Sequence, residues 1–575
     1  LSIILTIIFL IPSVVVLTYA ADDENVLNMG RDQDPDVLNP YTTTAAASGN
    51  VIEKMYETLF YVKNDGEFVP WLADSWDVSD DAKEYTFYLN ENAAWSDGEP
   101  LTADDIVFTF QMLMDNDLEP STTGEINTVE ALDAHTVKFT TNSSFVPFLY
   151  RAGVTYIVPK HIWGEIDDVV AFANNENPVG SGPFVWDRWV EGEYVSLLKN
   201  ENYWKGEVLI DKINIITYRS TDAQALALKA GEIDVTLTDP SQVGTYVGVK
   251  DVSIDQINVN RLCYMGWNLR RWPFSSNEVR KAIALAVDRK DVVESAYLGY
   301  GTIGNDGYVA PILGEYMNPD TTWKGLDMTD EERYAAANKI LDDAGIIDTD
   351  GDGIRDDGAG NPCEADMLVA SHVAAYLRTC EVVQEDCEAI GIKINLVPRE
   401  VGTIIVDVYG LGDEYEPDFD CYYMTCGYIL DPDYLYMEYF SDPHVIGWNG
   451  YSGGYSNSEL NDLLILARTT GDIDQRIEYV HDIQEIIAED LPVLNLRNHV
   501  ALTVYRTDKY DNWQLGEDML SIYNILQLEP AGPEIVTETV TEQVEVEKTP
   551  SWVYALVGVL VIIVGALGYM YTQKK

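Results

Sequence analysis

Trp95-Ser-Asp-Gly-Glu-Pro-Leu-Thr-Ala-Asp-Asp-Ile-Val-Phe108 contains the start of a helix. Thr102-Ala-Asp-Asp105 sets a hydroxyl at the N-cap with an acid three residues on, which satisfies free N–H groups of the first turn and predicts a helix over Ala103 to Met114. The same device recurs along the chain. Thr221-Asp-Ala-Gln224 starts a helix that stops at Gly231, and Thr329-Asp-Glu-Glu332 one that stops at Gly345. Ser275-Ser-Asn-Glu278 opens an apolar-periodic helix from Glu278 to Tyr297, and Ser456-Asn-Ser-Glu459 another that ends near Ala467. Between them stand strand-like runs: Tyr85-Thr-Phe-Tyr-Leu89, Thr136-Val-Lys-Phe-Thr140, Tyr194-Val-Ser-Leu-Leu198, Ile213-Asn-Ile-Ile-Thr217 and Ile392-Lys-Ile-Asn-Leu396. Helices interspersed with strands predict α/β layers with mixed sheets. No repeat of fixed period is present.

The part of the chain between its two apolar ends is long enough for two or three domain-sized cores. Lys plus Arg number 36 against 96 Asp plus Glu, a net charge of −60. Such a surface repels nucleic acid and anionic lipid alike, so no nucleic-acid partner is expected. The acidity is spread along the chain and reads as a solvated surface. With 46 % apolar residues the chain is globular and not disordered. The six cysteines (263, 363, 380, 387, 421 and 426) give no disulfide framework. Cys380 and Cys387 are two helical turns apart, about 10 Å, too far to bridge, and no Cys-x-x-Cys occurs. Buried free thiols are expected.

The termini predict a topology. Residues 552–571 (WVYALVGVLVIIVGALGYMY) carry no charge, have aromatics at both ends and are followed by Thr572-Gln573-Lys574-Lys575. Twenty residues at about 1.5 Å rise span a bilayer core of about 30 Å. The lysines favour a cytoplasmic C-terminus, with everything before residue 551 outside. Leu1 to Leu17, followed by Thr18-Tyr-Ala-Ala21, reads as a signal peptide over 1–21, an uncleaved anchor being the alternative. It has no basic n-region or initiator Met, and no cysteine follows it for lipid attachment. Residues 531–550, rich in Thr, Glu and Val, read as a stalk, and their Val/Thr alternation is also compatible with a strand.

A series of motifs in fixed order carries a family resemblance. It runs from Leu38-Asn39-Pro40, Tyr56-Glu57-Thr58-Leu59 and Pro70-Trp-Leu-Ala-Asp-Ser-Trp76 through Tyr85–Leu89, Trp95–Phe108 and Gly180-Ser-Gly-Pro-Phe184. It continues with Asn200-Glu-Asn-Tyr-Trp204, Gly231-Glu-Ile-Asp-Val235 and Val279-Arg-Lys-Ala-Ile-Ala-Leu-Ala-Val-Asp-Arg289, and closes with Ala488-Glu-Asp-Leu-Pro492. Over residues 26 to 528 the chain resembles the family 5 extracellular solute-binding proteins of ABC importers, the class of dipeptide, oligopeptide and nickel binders. With its anchor at the C-terminus it is similar to archaeal-type surface receptors. The resemblance implies a two-lobed, class II periplasmic-binding-protein-like α/β fold with an extra subdomain. Lobe I would comprise 22–45, 175–265 and 495–530, its subdomain 46–174, and lobe II 266–494. Crossovers would fall near Met265 to Leu269 and near Leu494 to His499. The stalk, a transmembrane helix over 551–571 and a cytoplasmic tail over 572–575 complete the chain. The implied partners are a small-molecule or peptide ligand and the permease and ATPase subunits of an importer, with a monomeric ectodomain at the cell membrane and no required cofactor.

Three segments suit the cleft. The hydroxyl-rich loop Asn39–Ser48 offers Tyr41 and Thr44. The strand Cys263–Asn268 would place Trp267 and Asn268 at the seam. Met424–Asp433 offers Tyr428 and Asp431. An apolar wall with few polar groups suits a small-molecule pocket. Peptide binders of this class commonly carry an Asp shortly before the Asp-Pro-Asp. Here the loop is shorter and that acid is absent, so Asp431 either substitutes for it or starts the turn. Trp71, Trp95 and Trp204 read as packing. Nickel or another metal chelate, or an oligosaccharide, is the alternative ligand, although only His444 and His499 of six histidines lie near the expected cleft. Asp348, Asp350, Asp352 and Asp356, with Gly353 at the turn, match the first part of a calcium loop, but Ala359 stands where the twelfth-place Glu belongs. A structural Ca²⁺ and a bare acidic turn both fit. Gly450-Tyr-Ser452-Gly-Gly454 fits the hydrolase pattern G-x-S-x-G but lacks the required strand before and helix immediately after Ser452. A serine hydrolase is therefore the weaker, enzymatic alternative to a binding protein.

Overall fold

The paired hydroxyl and acid at the predicted helix starts are used much as read. In the computed structural model, which describes residues 25–64, 66–410, 417–442, 445–446, 453–516 and 519–531, Asp105 accepts the Thr102 N–H at 2.9 Å at the head of helix Ala103–Asp115. Thr329 and Glu332 close a reciprocal capping box on Asp330–Asp343. Elsewhere the cap is a neighbour of the predicted one: Ser220 for Thr221–Ala230, Ser276 for Asn277–Ala286 and Asn457 for Ser458–Thr469. The helix expected to run on to Tyr297 stops at Ala286. Asp288 accepts the N–H groups of Lys290 and Asp291, which starts a new turn that continues into the π-helical segment Val292–Ala296.

Two long strands organise the chain. Val252–Trp267 runs antiparallel to Val493–Arg506, and its residues from 262 to 267 alternate between two covered faces. Cys263, Met265 and Trp267 enter one core with Val279, Ile283 and Cys380. Leu262 and Tyr264 enter the other with Tyr308, Tyr422, Leu460 and Ile483. A strand buried on both sides reads as a continuous apolar run, which is how 262–267 reads.

Lobe I builds on one edge of this pair. Leu502–Tyr505 pair with Val235–Thr238, followed by Val26–Arg31 and Lys212–Thr217 in parallel and the antiparallel strands Tyr194–Lys199 and Phe184–Val190. Lobe II builds on the other edge. Arg261–Trp267 pair with Cys421–Gly427, then come Glu364–Ala370 and Lys393–Arg399 in parallel. Between the two lobes the register of the central pair shifts. Asn258 pairs with Val500 and Leu262 with Asn498, so Val259, Asn260 and Arg261 stand opposite His499 alone. The first crossover expected at Met265 to Leu269 thus begins inside a regularly paired lobe II segment, a few residues beyond the break.

Residues 73–141 form a separate four-stranded sheet around Phe87, Phe110, Phe139 and Phe148. Three of the family motifs meet where this subdomain joins lobe I. The buried Glu57 carboxylate accepts from Trp71 Nε1 at 2.7 Å, Tyr203 Oη at 2.6 Å and Trp204 Nε1 at 2.9 Å. Trp71 and Trp204 therefore serve as hydrogen-bond donors as well as packing groups. Burial pushes the Glu57 pKa up, against the lowering effect of Tyr203, Trp204, Ser181 and Trp71. Gly180 and Gly182 pass so close to Met55 that a Cβ on either would meet the Met55 carbonyl oxygen, at 1.9 and 2.8 Å. That contact explains the glycines of the 180–184 motif.

The six cysteines are free thiols, five of them buried. Among the described residues no helix is long and apolar enough to cross a membrane. The signal-peptide reading (1–21), the stalk (531–550) beyond Ala531, the span 551–571 and the tail 572–575 lie outside the described residues.

Removing the Glu57 carboxylate strands the buried donors of Trp71 and Tyr203 and the half-buried one of Trp204, together worth about 3 kcal/mol or more at about 1–3 kcal/mol for each buried donor left unsatisfied. Glu57→Ala is expected to lower the unfolding free energy by at least about 3 kcal/mol in urea denaturation. A loss under about 1 kcal/mol would show that these hydrogen bonds do not hold the junction.

Candidate functional site

The register break leaves the two lobes joined by chain with no continuous ladder, and a cavity of about 510 Å³ opens beside it. Its wall combines Val259, Arg261, His499 and Val500, at and beside the break, with the ends of two lobe I strands, Arg31 to Gln33 and Leu237 to Pro240. That volume lies in the range of small-molecule sites, about 300–1,000 Å³. Both signs of charge border it. Arg31 is buried and Arg261 exposed, Asp32 is exposed, and Asp239 is half-buried with its carboxylate accepting the Ser241 N–H at 2.8 Å. The imidazole of His499 is held down to a pKa of about 3 by burial and then by the nearby Arg497 and Arg261. It is neutral at every physiological pH.

Lobe II meets the break through the turn after Cys421–Gly427. The Asn260 side chain donates to the Ile429 carbonyl at 2.6 Å, and the Tyr428 N–H donates to the Asn260 carbonyl at 2.7 Å. Tyr428 shares a 2.7 Å hydroxyl contact with Tyr308 and stacks on Tyr434 at 4.4 Å between centroids. Behind it lies Glu438, buried among tyrosines. Burial raises its pKa to about 7, offset in part by a hydrogen bond from Tyr428.

Of the residues predicted to contact a ligand, Tyr428 stands at the seam with the partners just described, and the others have structural partners too. Tyr41 donates to the Tyr156 carbonyl at 2.5 Å and packs edge-on against Trp163. Thr44 is exposed, but its N–H and hydroxyl go to Asp36, as do the hydroxyls of Thr43 and Ser48. Burial opposes ionisation of Asp36, yet these hydrogen bonds from Ser48, Thr43, Thr44 and Val37 prevail and hold its pKa well below the usual range. The hydroxyl-rich loop is a cage for one carboxylate.

Trp267 and Asn268, expected at the seam, are buried with partners of their own. Trp267 is 1 % exposed, donates to the Leu491 carbonyl at 2.9 Å and stacks on Phe274, and Asn268 donates to the Phe419 carbonyl at 3.1 Å. Both lie inside lobe II, because strand alternation turns Trp267 with Met265 into the helical layer. Asp431 is held by both nitrogens of Arg476, at 2.7 and 2.9 Å, and accepts the Asp433 N–H at 2.8 Å. Desolvation would raise its pKa, but Arg476 keeps it low. Asp431 thus starts the turn and is not available to a ligand ammonium.

Asp348, Asp350 and Asp352 each bring one carboxylate oxygen within 4.8 Å of the others, all exposed. Asp356, expected with them, instead accepts from the Thr349 N–H and hydroxyl and the Gly358 N–H. Ser452 and His444 lie outside the described residues.

The sequence reading named His499 as near the cleft but missed Arg31, Asp32, Asp239 and Arg261. For Arg31, Asp32 and Asp239 the signal was a charged residue at the end of an apolar strand run, as in Val26–Arg31 or Val235–Asp239, which marks where a sheet edge opens on a crevice.

A family model described as bacterial extracellular solute-binding proteins, family 5 Middle, matches residues 67–447. The chain is 26 % identical over 490 residues to the probable D,D-dipeptide-binding periplasmic protein DdpA of Escherichia coli (strain K12), covering 82 % of this chain and 88 % of that protein. It is 28 % identical over 509 residues to the oligopeptide-binding protein AppA of Bacillus subtilis (strain 168), covering 83 % and 87 %. Among solved structures, the ABC transporter substrate-binding protein CtaP of Listeria monocytogenes superposes with a TM-score of 0.76 at 26 % identity, over 88 % of this chain and 99 % of that one.

Glu438 supplies a pH dependence behind the site. Its pKa rises on folding from 4.5 to about 7, so its contribution to stability is complete below about 4.5 and is lost as pH rises through 7. The difference in unfolding free energy between wild type and Glu438→Gln is expected to change by about 3 kcal/mol from pH 4.5 to 8. A difference that is flat with pH, measured by urea denaturation, would rule out a proton on this carboxyl.

Proposed function

The chain belongs to the bacterial extracellular solute-binding proteins of family 5, and on that premise we propose that it captures a peptide or peptide-like solute between its lobes for an ABC permease. The observation that carries this reading is the 510 Å³ cavity at the register break, bordered by charges of both signs. A free peptide carries both. Arginine forks suit its carboxylate, and a carboxylate suits its ammonium. Because Asp431 is occupied by Arg476, the ammonium falls to Asp32 or Asp239 and the carboxylate to Arg261. The lobes close over the solute by torsions at 258–262 and 498–500, each lobe staying rigid.

The same reading tethers the lobes outside the membrane through residues 551–571. The twenty uncharged residues with flanking aromatics and terminal lysines support it, and they lie outside the described residues.

Trialanine is expected to raise the melting temperature of the full chain by mass action. Arg261→Ala is expected to weaken its binding about tenfold or more, the scale of one charge-assisted hydrogen bond. With His499 neutral, His499→Gln is expected to leave the pH dependence of affinity between pH 5.5 and 7.5 unchanged. Stabilisation by a nickel–histidine chelate or a manno-oligosaccharide, with none by di-, tri- or tetra-alanine, would overturn the peptide reading.

A further inference from the structure

Away from the cavity, the subdomain of lobe I touches lobe II through one buried charge cluster. Arg151 Nη2 donates to Asp433 Oδ2 at 2.7 Å across the seam. Arg468 Nε lies 2.7 Å from Asp433 Oδ1, within lobe II. The Asp433 side chain is 0 % exposed and Arg151 is 9 % exposed. The Arg468 guanidinium lies between a ring from each lobe, 4.6 Å from the Phe145 centroid and 3.8 Å from that of Tyr436. Main-chain contacts continue the join. The Val146 N–H donates to the Arg468 carbonyl at 2.8 Å, Ser144 Oγ to the Thr469 carbonyl at 2.5 Å, and the Leu430 N–H to Tyr150 Oη at 3.2 Å.

We propose that Arg151, Asp433 and Arg468 form a latch between the lobes, with Arg151 the positioning residue that sets how long a solute stays enclosed. The latch deepens the capture reading and rests on it for its purpose, though not for its detection. Its asymmetry is the physical point. A buried carboxylate stripped of every partner is strongly destabilising. Asp433 has two guanidinium partners, and the one in its own lobe stays with it when the lobes part. Opening therefore breaks the Arg151 bond and the looser 3.8 Å pair of Arg468 with Glu125 of the subdomain, returns Arg151 and the half-buried Glu125 to water, and leaves Asp433 with Arg468. The closed state gains one charge-assisted hydrogen bond in a dry seam, while the open state remains accessible. None of the three residues lines the cavity, so their effect on affinity passes through closure alone.

The test uses the full chain with Arg151→Met, which keeps the length of the side chain and leaves the Arg468–Asp433 pair intact. Hydrogen exchange at the Val146 and Leu430 amides reports opening of the seam. Exchange there is expected to quicken about tenfold or more, with or without trialanine, while the amides of Val137 and Phe139 inside the subdomain sheet stay unchanged. Trialanine dissociation is expected to speed up by about ten- to hundredfold, with the association rate altered less than about threefold, and the difference is expected to persist at 0.5 M NaCl because the pair is desolvated. Arg151→Lys is expected to restore part of the loss. Unchanged exchange at both seam amides, together with an unchanged dissociation rate, would overturn the latch. A wild type that ignores trialanine, beside a variant whose seam exchanges faster, would sink the peptide reading and leave the latch standing.

Discussion

The antiparallel pairing of Val252–Trp267 with Val493–Arg506 is the constraint on which the rest depends. Each lobe's sheet grows from one edge of this pair, so neither lobe has a complete sheet without both strands. Three residues against one at 259–261 and 499 interrupt the ladder. An interruption of this kind bends a strand and frees main-chain groups from pairing. Of the residues in the break, Val259, Arg261 and His499 face the cavity, with Val500 beside them. The cavity wall thus adjoins an interruption of the ladder, which shifts register again between Cys263 and Tyr264.

A second pattern concerns where the scarce cations lie. With 36 basic against 96 acidic side chains, the chain nonetheless buries Arg31, Arg280, Arg289, Arg333, Arg476 and Arg497. Arg280 serves carbonyls of Phe274, Asp490 and Leu491, Arg333 caps a turn through Asp288 and Asp330, and Arg476 neutralises Asp431. The guanidinium fork satisfies several acceptors at once, which a lysine ammonium does less well in a dry interior. Withdrawing arginines from the surface makes the exterior more acidic still. The interior is ordered by these forks and by carboxylates such as Glu57, which ties three aromatic donors together.

The fold was largely legible in the sequence because its signals are local. Capping pairs at Thr102 and Thr329, strand alternation at Tyr85 and Thr136, and the ordered motifs from Leu38 to Pro492 each need only a few neighbouring residues. The site was less legible because its decisive contacts are distant. Nothing near Asp431 announces that Arg476 will occupy it. The hydroxyls around Thr44 look poised for a ligand until Asp36 is folded among them. Trp267 ends a strand whose two faces are both covered, and alternation alone does not say which covered face is a cleft and which a core. Arg261 passed unnoticed because its role follows from a register shift, a property of two strands more than two hundred residues apart.

The late position of Val493–Arg506 also shapes how the chain matures. Lobe I begins at Val26, yet the strand that flanks Val235–Thr238 and closes its sheet arrives among the last to be synthesised. Until then Val235–Thr238 and Val252–Trp267 each present an unpaired edge, and exposed edges recruit foreign strands. From Trp267 to Arg506, a stretch of 239 residues, the nascent chain must keep two half-built sheets apart from other chains. A single late insertion then completes both at once, so neither lobe has a sheltered life of its own before the other.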